Sequence, residues 1–148
     1  MALPTEALVV DASVAVKWHL GDEDHVAEAA LLLDNFAQGR TSLCAPEYIR
    51  YEVPAAIARA TRGLNSRLSK ERGREAIEEF LSLGIQTLDS ADLTVVAYEL
   101  AHTYGCALYD ALYVALAERL SLPFVTADRR LYEQIRSASD VIWIGDYS

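Results

Sequence analysis

Hydrophobic positions along the chain come as short runs and as helical stripes, and the two kinds alternate. The run Ala7-Leu8-Val9-Val10 reads as a buried strand, and Ser13 to His19 as a short helix after it. Asp24 to Ala37 carries Val26, Ala29, Ala30, Leu33 and Ala37 at helical spacing, closed by Gly39. Ser42 to Ala45 reads as a short link with some strand character. Pro46 suits the first position of a helix expected to reach Arg62 and stop at Gly63. Ser69 is placed to cap a further helix through Leu83, ended by Gly84. Ile85 to Leu88 is a strand candidate; Asp89, Ser90 or Asp92 then caps a helix over 91–104 that Gly105 stops.

Asp110 is expected to open the next helix, in which Ala111 to Ala117 are apolar on nearly every side, so this helix belongs in the interior. Pro123 to Thr126 is a well-marked strand, Asp128 to Arg136 a helix and Val141 to Ile144 a last strand. Strands alternating with helices predict an α/β fold, a three-layer α/β/α sandwich with a central parallel sheet. At 148 residues, with no repeat, low-complexity tract or linker, residues 1–148 read as a single domain.

Composition narrows the class. A chain 52% hydrophobic and 24% charged has material for a core and is not of disordered type. Met1 to Glu6 has no basic leader segment, and no stretch approaches the roughly 18 apolar residues of a membrane span. Cys44 and Cys106 lie far apart and read as two buried free thiols, as expected in a reducing cytoplasm. His19, His25 and His102 show no zinc-like spacing. The net charge of −9 argues against passive adhesion to nucleic acid, although a cation-binding acidic site would turn local repulsion into attraction. Basic residues are concentrated: Arg59, Arg62, Arg67, Lys70, Arg72 and Arg74 form either a solvated surface or a phosphate contact.

Four acids stand in unusual places. Asp11 ends the run Leu8-Val9-Val10 and Asp128 follows Phe124-Val125-Thr126-Ala127. An ionised carboxylate where a buried strand stops is unfavourable unless a cation sits against it. The crevice beyond the carboxyl ends of such strands is where open α/β sheets bind ligands. Asp110 begins the most apolar helix, and Glu52 lies at the edge of the Ile49, Val53, Ala56, Ala60 stripe. Each has a structural explanation of its own. Asp110 and Asp128 are placed to act as helix N-caps, Asp11 to pair with Lys17, and Glu52 to reach solvent. Their convergence at one sheet edge is the reading that leads to chemistry.

The chain resembles the PIN domain family, and within it the VapC-type toxins of toxin–antitoxin systems. The resemblance rests on four motifs, in order and over essentially the full length. They are the segment from Val9-Val10-Asp11-Ala12-Ser13 to Lys17-Trp18, then Tyr51-Glu52-Val53, then Tyr109-Asp110-Ala111-Leu112-Tyr113 to Ala117, and last Phe124-Val125-Thr126-Ala127-Asp128 to Leu131. It implies an endoribonuclease acting on single-stranded RNA and dependent on Mg²⁺ or Mn²⁺. The implied acidic site is Asp11, Glu52, Asp110 and Asp128, with Ser13 and Thr126 supporting it from behind. The three aspartates are then expected in one cavity, close enough to share a metal, with Glu52 at its rim. The family often places Asn three residues after the second acid; here that residue is Ala55, preceded by Pro54, which is expected to kink its helix.

Carboxylate oxygens are the hard ligands that Mg²⁺ prefers, and such ions serve phosphodiester hydrolysis without His or Cys. The resemblance further implies a homodimer, a VapB-like antitoxin whose tail covers the acidic cleft, and a cytoplasmic location. Trp18, Tyr48, Tyr51 and the Val53–Ala60 surface are expected contact regions. A haloacid-dehalogenase-type phosphotransferase needs a second Asp where this chain has Ser13. A receiver domain needs a Lys after a late strand, and Lys70 is the last lysine here. The standing alternative is a catalytically weak or inactive PIN-fold module that binds RNA or protein.

Overall fold

The fold is a parallel five-stranded sheet with helices packed on it, in a computed structural model that describes residues 6–138 and 140–148. Met1 to Thr5, read above as lacking a basic leader, lie outside the described residues. The strands are β1 (Glu6–Val10), β2 (Thr41–Pro46), β3 (Gln86–Leu88), β4 (Phe124–Thr126) and β5 (Val141–Trp143). The helices are α1 (Ala12–Val16), α2 (Val26–Ala37), α3 (Ile49–Ala60), α4 (Lys70–Ser82), α5 (Thr94–Tyr104), α6 (Leu108–Leu120) and α7 (Arg129–Ile135). The sheet order is β3-β2-β1-β4-β5 and every pairing is parallel. This is the expected α/β/α sandwich. Chain order runs outward in both directions from β1 and β4, so the switch point lies between those two strands.

The apolar runs account for the centre. Leu8, Val9 and Val10 of β1 have no solvent exposure, and neither does Val125 beside them. Each such side chain contributes about 1.5–3 kcal/mol by leaving water. On α6, Ala111 and Tyr113 to Ala117 are buried, which fits its lack of a polar face. Trp18 is held by its indole N–H, which donates to the Ala29 carbonyl oxygen at 2.8 Å, tying the end of α1 to α2. Helix stops follow the glycines, with Gly84 and Gly105 at φ +77° and +69°.

Several expectations are corrected. Pro46 does not open a helix; it ends β2, paired with Leu88, and α3 starts at Ile49. The Glu47 N–H bonds the Leu88 carbonyl at 2.9 Å, so the N–H that Pro46 lacks would face the β1 side, where β1 has already ended. Ser42 to Ala45 is therefore part of a full strand, with β1 on one side and β3 on the other. α2 begins at Val26 instead of Asp24, after His25 in a left-handed conformation at φ 58°. Cys44 is buried but Cys106 is only half-buried, and both thiols are free. Val53, Ile57 and Ala60 are core residues, so the Val53–Ala60 segment offers no surface on that side. Tyr48 stacks on Tyr109 at 4.2 Å between ring centroids, while Tyr51 is exposed.

Candidate active site

The switch point brings the two strand-end acids together. Val9 and Val10 pair with Phe124 and Val125, and the Asp11 N–H donates to the Val125 carbonyl at 3.0 Å. β1 thus runs straight into Asp11, and β4 reaches Asp128 after Ala127. α3 carries Glu52 and the first turn of α6 carries Asp110 to the same place. All four acids line one cavity of about 390 Å³, together with Ser13, Lys17 and Arg59.

Asp11 is buried and tightly held. The hydroxyls of Ser13 and Thr126 both donate to its Oδ2, at 2.6 and 2.8 Å. Those hydroxyls are themselves fixed, since the Ala127 N–H donates to Ser13 Oγ at 2.9 Å and the Asp128 N–H to Thr126 Oγ1 at 3.1 Å. Ser13 and Thr126 therefore couple the ends of β1 and β4 through one carboxylate oxygen. Asp128 is the N-cap of α7, its Oδ1 accepting from the Leu131 N–H at 3.0 Å. Its structural explanation thus holds alongside its place in the cavity. Asp110 does not cap its helix: α6 begins at Leu108, after Ala107, and Asp110 sits within the first turn.

Glu52 is reached by a residue that the sequence reading left out. The Tyr113 hydroxyl donates to Glu52 Oε1 at 3.0 Å from a wholly buried ring. A buried tyrosine needs a partner for its hydroxyl, and Tyr113 lies three residues after Asp110 on the same helix. That spacing was the available signal. α3 runs unbroken through Pro54, and Glu52 keeps its place in the cavity despite Pro54 and Ala55. Lys17, four residues after Ser13, also lines the cavity but makes no ion pair with Asp11 among the described residues.

The electrostatics are those of uncompensated negative charge. Burial raises the Asp11 carboxyl above the usual range, with Asp128 adding to the effect against the Ser13 and Thr126 hydrogen bonds. Burial and then the Asp11 and Asp128 charges push Asp110 up to about 6. Burial and the Asp11 charge push Glu52 up to about 7, against the Tyr113 hydrogen bond. Asp11, Asp110 and Glu52 are each made less acidic by a neighbouring carboxylate, the behaviour of like charges sharing one site. The three aspartates share one cavity, as expected, but do not stand at the spacing expected for a shared metal. Among the described residues, no three His, Cys, Asp or Glu side chains gather closely enough to hold an ion as they stand.

The donor set nonetheless fits a hard divalent cation. It consists of carboxylate oxygens, one of them orientated by two hydroxyls, and the cations in the same wall, Lys17 and Arg59, form no ion pair with them among the described residues. Asp11, Asp110, Asp128 and Glu52 are the residues that would hold such an ion. Asp110 and Glu52, raised by burial and by neighbouring carboxylates, are shifted in the direction common among groups in functional clefts.

Comparison with known proteins gives the family. The family model for the PIN domain matches residues 8–136. Ribonuclease VapC12 of Mycobacterium tuberculosis is 36% identical over 124 residues, 84% of this chain and 88% of that protein. Ribonuclease VapC1 of the same organism is 34% identical over 87 residues, 59% of this chain and 63% of that one. The crystal structure of PAE2754 from Pyrobaculum aerophilum superposes with a TM-score of 0.66 at 21% identity, covering 96% of this chain and 93% of that one. That of Mycobacterium tuberculosis VapC20, described as a sarcin-ricin loop cleaving toxin, gives 0.64 at 15% identity, with 85% and 93% covered. These last two speak for the fold.

Proposed function

The chain belongs to the PIN domain family, and from that membership and the acid cavity we propose that it is a VapC-type toxin, a divalent-metal-dependent endoribonuclease that hydrolyses single-stranded RNA. The observation that carries the reading is the convergence of Asp11, Asp110, Asp128 and Glu52 on one cavity at the switch point. A bound Mg²⁺ or Mn²⁺ would supply an activated water and offset negative charge on the phosphoryl oxygens.

The chain's own residues do the rest. Ser13 and Thr126 hold Asp11 by Oδ2, which leaves Oδ1 without a side-chain hydrogen bond and free to take a ligand. The Leu131 N–H does the same for Asp128, occupying Oδ1. Tyr113 fixes Glu52 through Oε1. Asp110 rides on the rigid, buried helix α6, so its approach to the cavity is set by the core. Arg59 lines the same cavity and is solvent-exposed, placed to meet a phosphate oxygen of an incoming strand.

The same charge accounts for the partners of this reading. An uncompensated acidic cleft attracts a basic side chain, as from the tail of a VapB-like antitoxin. Exposed Val95, Val96 and Tyr98 on α5 and Tyr109 on α6 offer apolar surface for a homodimer. Among the described residues, no helix is long and apolar enough to cross a membrane. The deciding experiment is incubation of a total RNA pool with purified protein and Mg²⁺, beside an Asp11→Asn control. Cleavage by the wild type alone supports the reading. Metal-independent binding without cleavage would favour an inactive PIN-fold module. Light scattering and pull-down with the adjacent open reading frame test the dimer and the antitoxin.

A further inference from the structure

Beyond Ala127 the acid cavity continues into a second one of about 350 Å³ with a different character. The two share Lys17, Glu23 and Ala127 as walls, and the second adds His25, Arg129 and Trp143. Lys17 is 9% exposed, and its side chain donates no hydrogen bond and makes no ion pair among the described residues. Its stem is packed away while the ammonium lines both cavities without a bonded partner, so it is available to an anion that enters them.

Arg129 is prepared for the same anion. Its guanidinium carbon lies 4.0 Å above the centroid of the Trp143 ring. That ring is buried and held by His25, edge-on at 5.4 Å, and by Tyr132 at 5.8 Å. Gly145 permits this packing, because a Cβ there would come within 2.5 Å of Trp143 Nε1 and 2.9 Å of His25 Cε1. Stacking fixes the plane of the guanidinium and leaves its N–H edge available, since its ion pair with Glu133, at 3.8 Å, is too long for a hydrogen bond. A planar fork held in this way suits bidentate contact with phosphate oxygens. The acids nearby oppose an anion only weakly. Glu23 is engaged by Arg67 at 3.4 Å, and Asp24 is exposed, where solvent screens it.

We propose that this second cavity is a phosphate subsite for RNA, in which Lys17 and Arg129 hold the backbone phosphate next to the one being cut. The inference rests on the ribonuclease reading. It gives the acidic site a neighbouring anchor that sets which linkage is presented to Asp11, Asp110 and Asp128. Trp143 and His25 act through Arg129 as positioning residues.

The test is fluorescence anisotropy of a labelled single-stranded RNA dodecamer of random sequence, read over a range of salt concentrations. It is done in the Asp110→Asn protein with Mg²⁺, so that RNA is bound but not cut. Lys17→Met and Arg129→Gln are each expected to weaken binding about fivefold and to lower the slope of log K against log salt by about 0.7, the loss of one phosphate contact. Arg119→Gln, at the far end of α6, should change neither. The salt dependence of kcat/KM without the Asp110 substitution provides the same slopes independently, and melting curves show that each variant is folded. Wild-type protein that cuts RNA, with both variants keeping full affinity and slope, overturns the subsite alone. Wild-type protein that neither cuts nor binds RNA overturns the ribonuclease reading and the subsite together.

Discussion

Acids on α4 and acids at the carboxyl edge of the sheet meet opposite surroundings in the same chain. On α4, Glu75 and Glu79 both face Arg72, at 3.0 and 3.1 Å, and Glu78 faces Arg74 at 3.1 Å. These pairs are solvent-exposed and worth little. The same matching holds Asp22 and Asp92 below the ordinary carboxylate range, through hydrogen bonds from Arg67 and Arg119. In the cavity, burial and mutual repulsion place Asp110 at about 6 and Glu52 at about 7. The cations that line it, Lys17 and Arg59, make no ion pair among the described residues. Matched charge leaves a surface inert, whereas unmatched charge is a standing disposition to bind a cation.

The hardest test of that contrast is loss of activity. Asp11→Asn, Asp110→Asn and Asp128→Asn are each expected to reduce Mg²⁺-dependent RNA cleavage by about a hundredfold or more, the scale of losing an electrostatic element of a site. Glu52→Gln should also be severe. Asp92→Asn and Glu78→Gln, which remove the same charge from matched pairs, should cut RNA at the wild-type rate. Undiminished cleavage by Asp11→Asn protein, shown free of contaminating nuclease, would erase the distinction between the two acid populations.

Metal binding sharpens the comparison without needing the RNA. Mg²⁺ or Mn²⁺ should raise the melting temperature of the wild type, by about 2.7 kcal/mol of stability at a hundredfold excess over Kd. Asp92→Asn protein should gain equally and the cavity variants far less. Protons compete with metal for the raised carboxylates, so the gain should be larger at pH 8 than at pH 5.5. A gain independent of pH, or equal in Asp11→Asn protein, would move the metal elsewhere.

In EDTA the two populations should pull stability in opposite directions with pH. Asp110 and Glu52 bind protons more tightly when folded than when unfolded. Their contribution is therefore fully present below the unfolded values near 4 and lost as pH rises through about 6 and 7. Discounted for solvent screening, each amounts to about 1–2 kcal/mol. Asp22 and Asp92 are depressed, so what they add is present above pH 4 and lost as pH falls through their folded values. Melting temperature in EDTA should thus peak near pH 5. A monotonic rise from pH 5 to 8 would contradict the assignment of unmatched charge to the cavity.

How far the sequence revealed this differed from residue to residue. β1 and β4 were legible because an apolar run ending in Asp marks a buried strand reaching an edge. β2 was read as a link because Pro46 resembles a helix start; only knowing that β1 stops short shows its missing N–H to be harmless. The start of α6 was hidden because Ala107 precedes it without a side-chain cap, which made Asp110 look like the opener. Tyr113 was obscured by apolar neighbours on every side, where no face stands out. The Lys17 and Arg129 cavity joins α1 to α7 across the switch point and has no local signature.

The smallest expected effect separates two members of the cavity itself. Asp110 makes no cap, so Asp110→Asn removes a repelling charge at nearly constant shape and should stabilise the protein in EDTA by about 1 kcal/mol. Asp128 also caps α7 by accepting from the Leu131 N–H. Asn caps about as well as Asp, so Asp128→Asn keeps the bond while losing the charge's favourable interaction with the helix N-terminus. Its net gain should be near zero, within about 0.5 kcal/mol. Asp128→Ala, which loses the cap, should instead destabilise by about 1 kcal/mol. Thermal melts in EDTA at pH 8, above the values of about 6 and 7 for Asp110 and Glu52, resolve the three. If Asp110→Asn is as neutral as Asp128→Asn there, repulsion contributes little and the raised carboxyls reflect burial alone. If Asp110→Asn is destabilising, Asp110 makes a contact in solution that the folded geometry does not show, and the cavity is less crowded with charge than its residues imply.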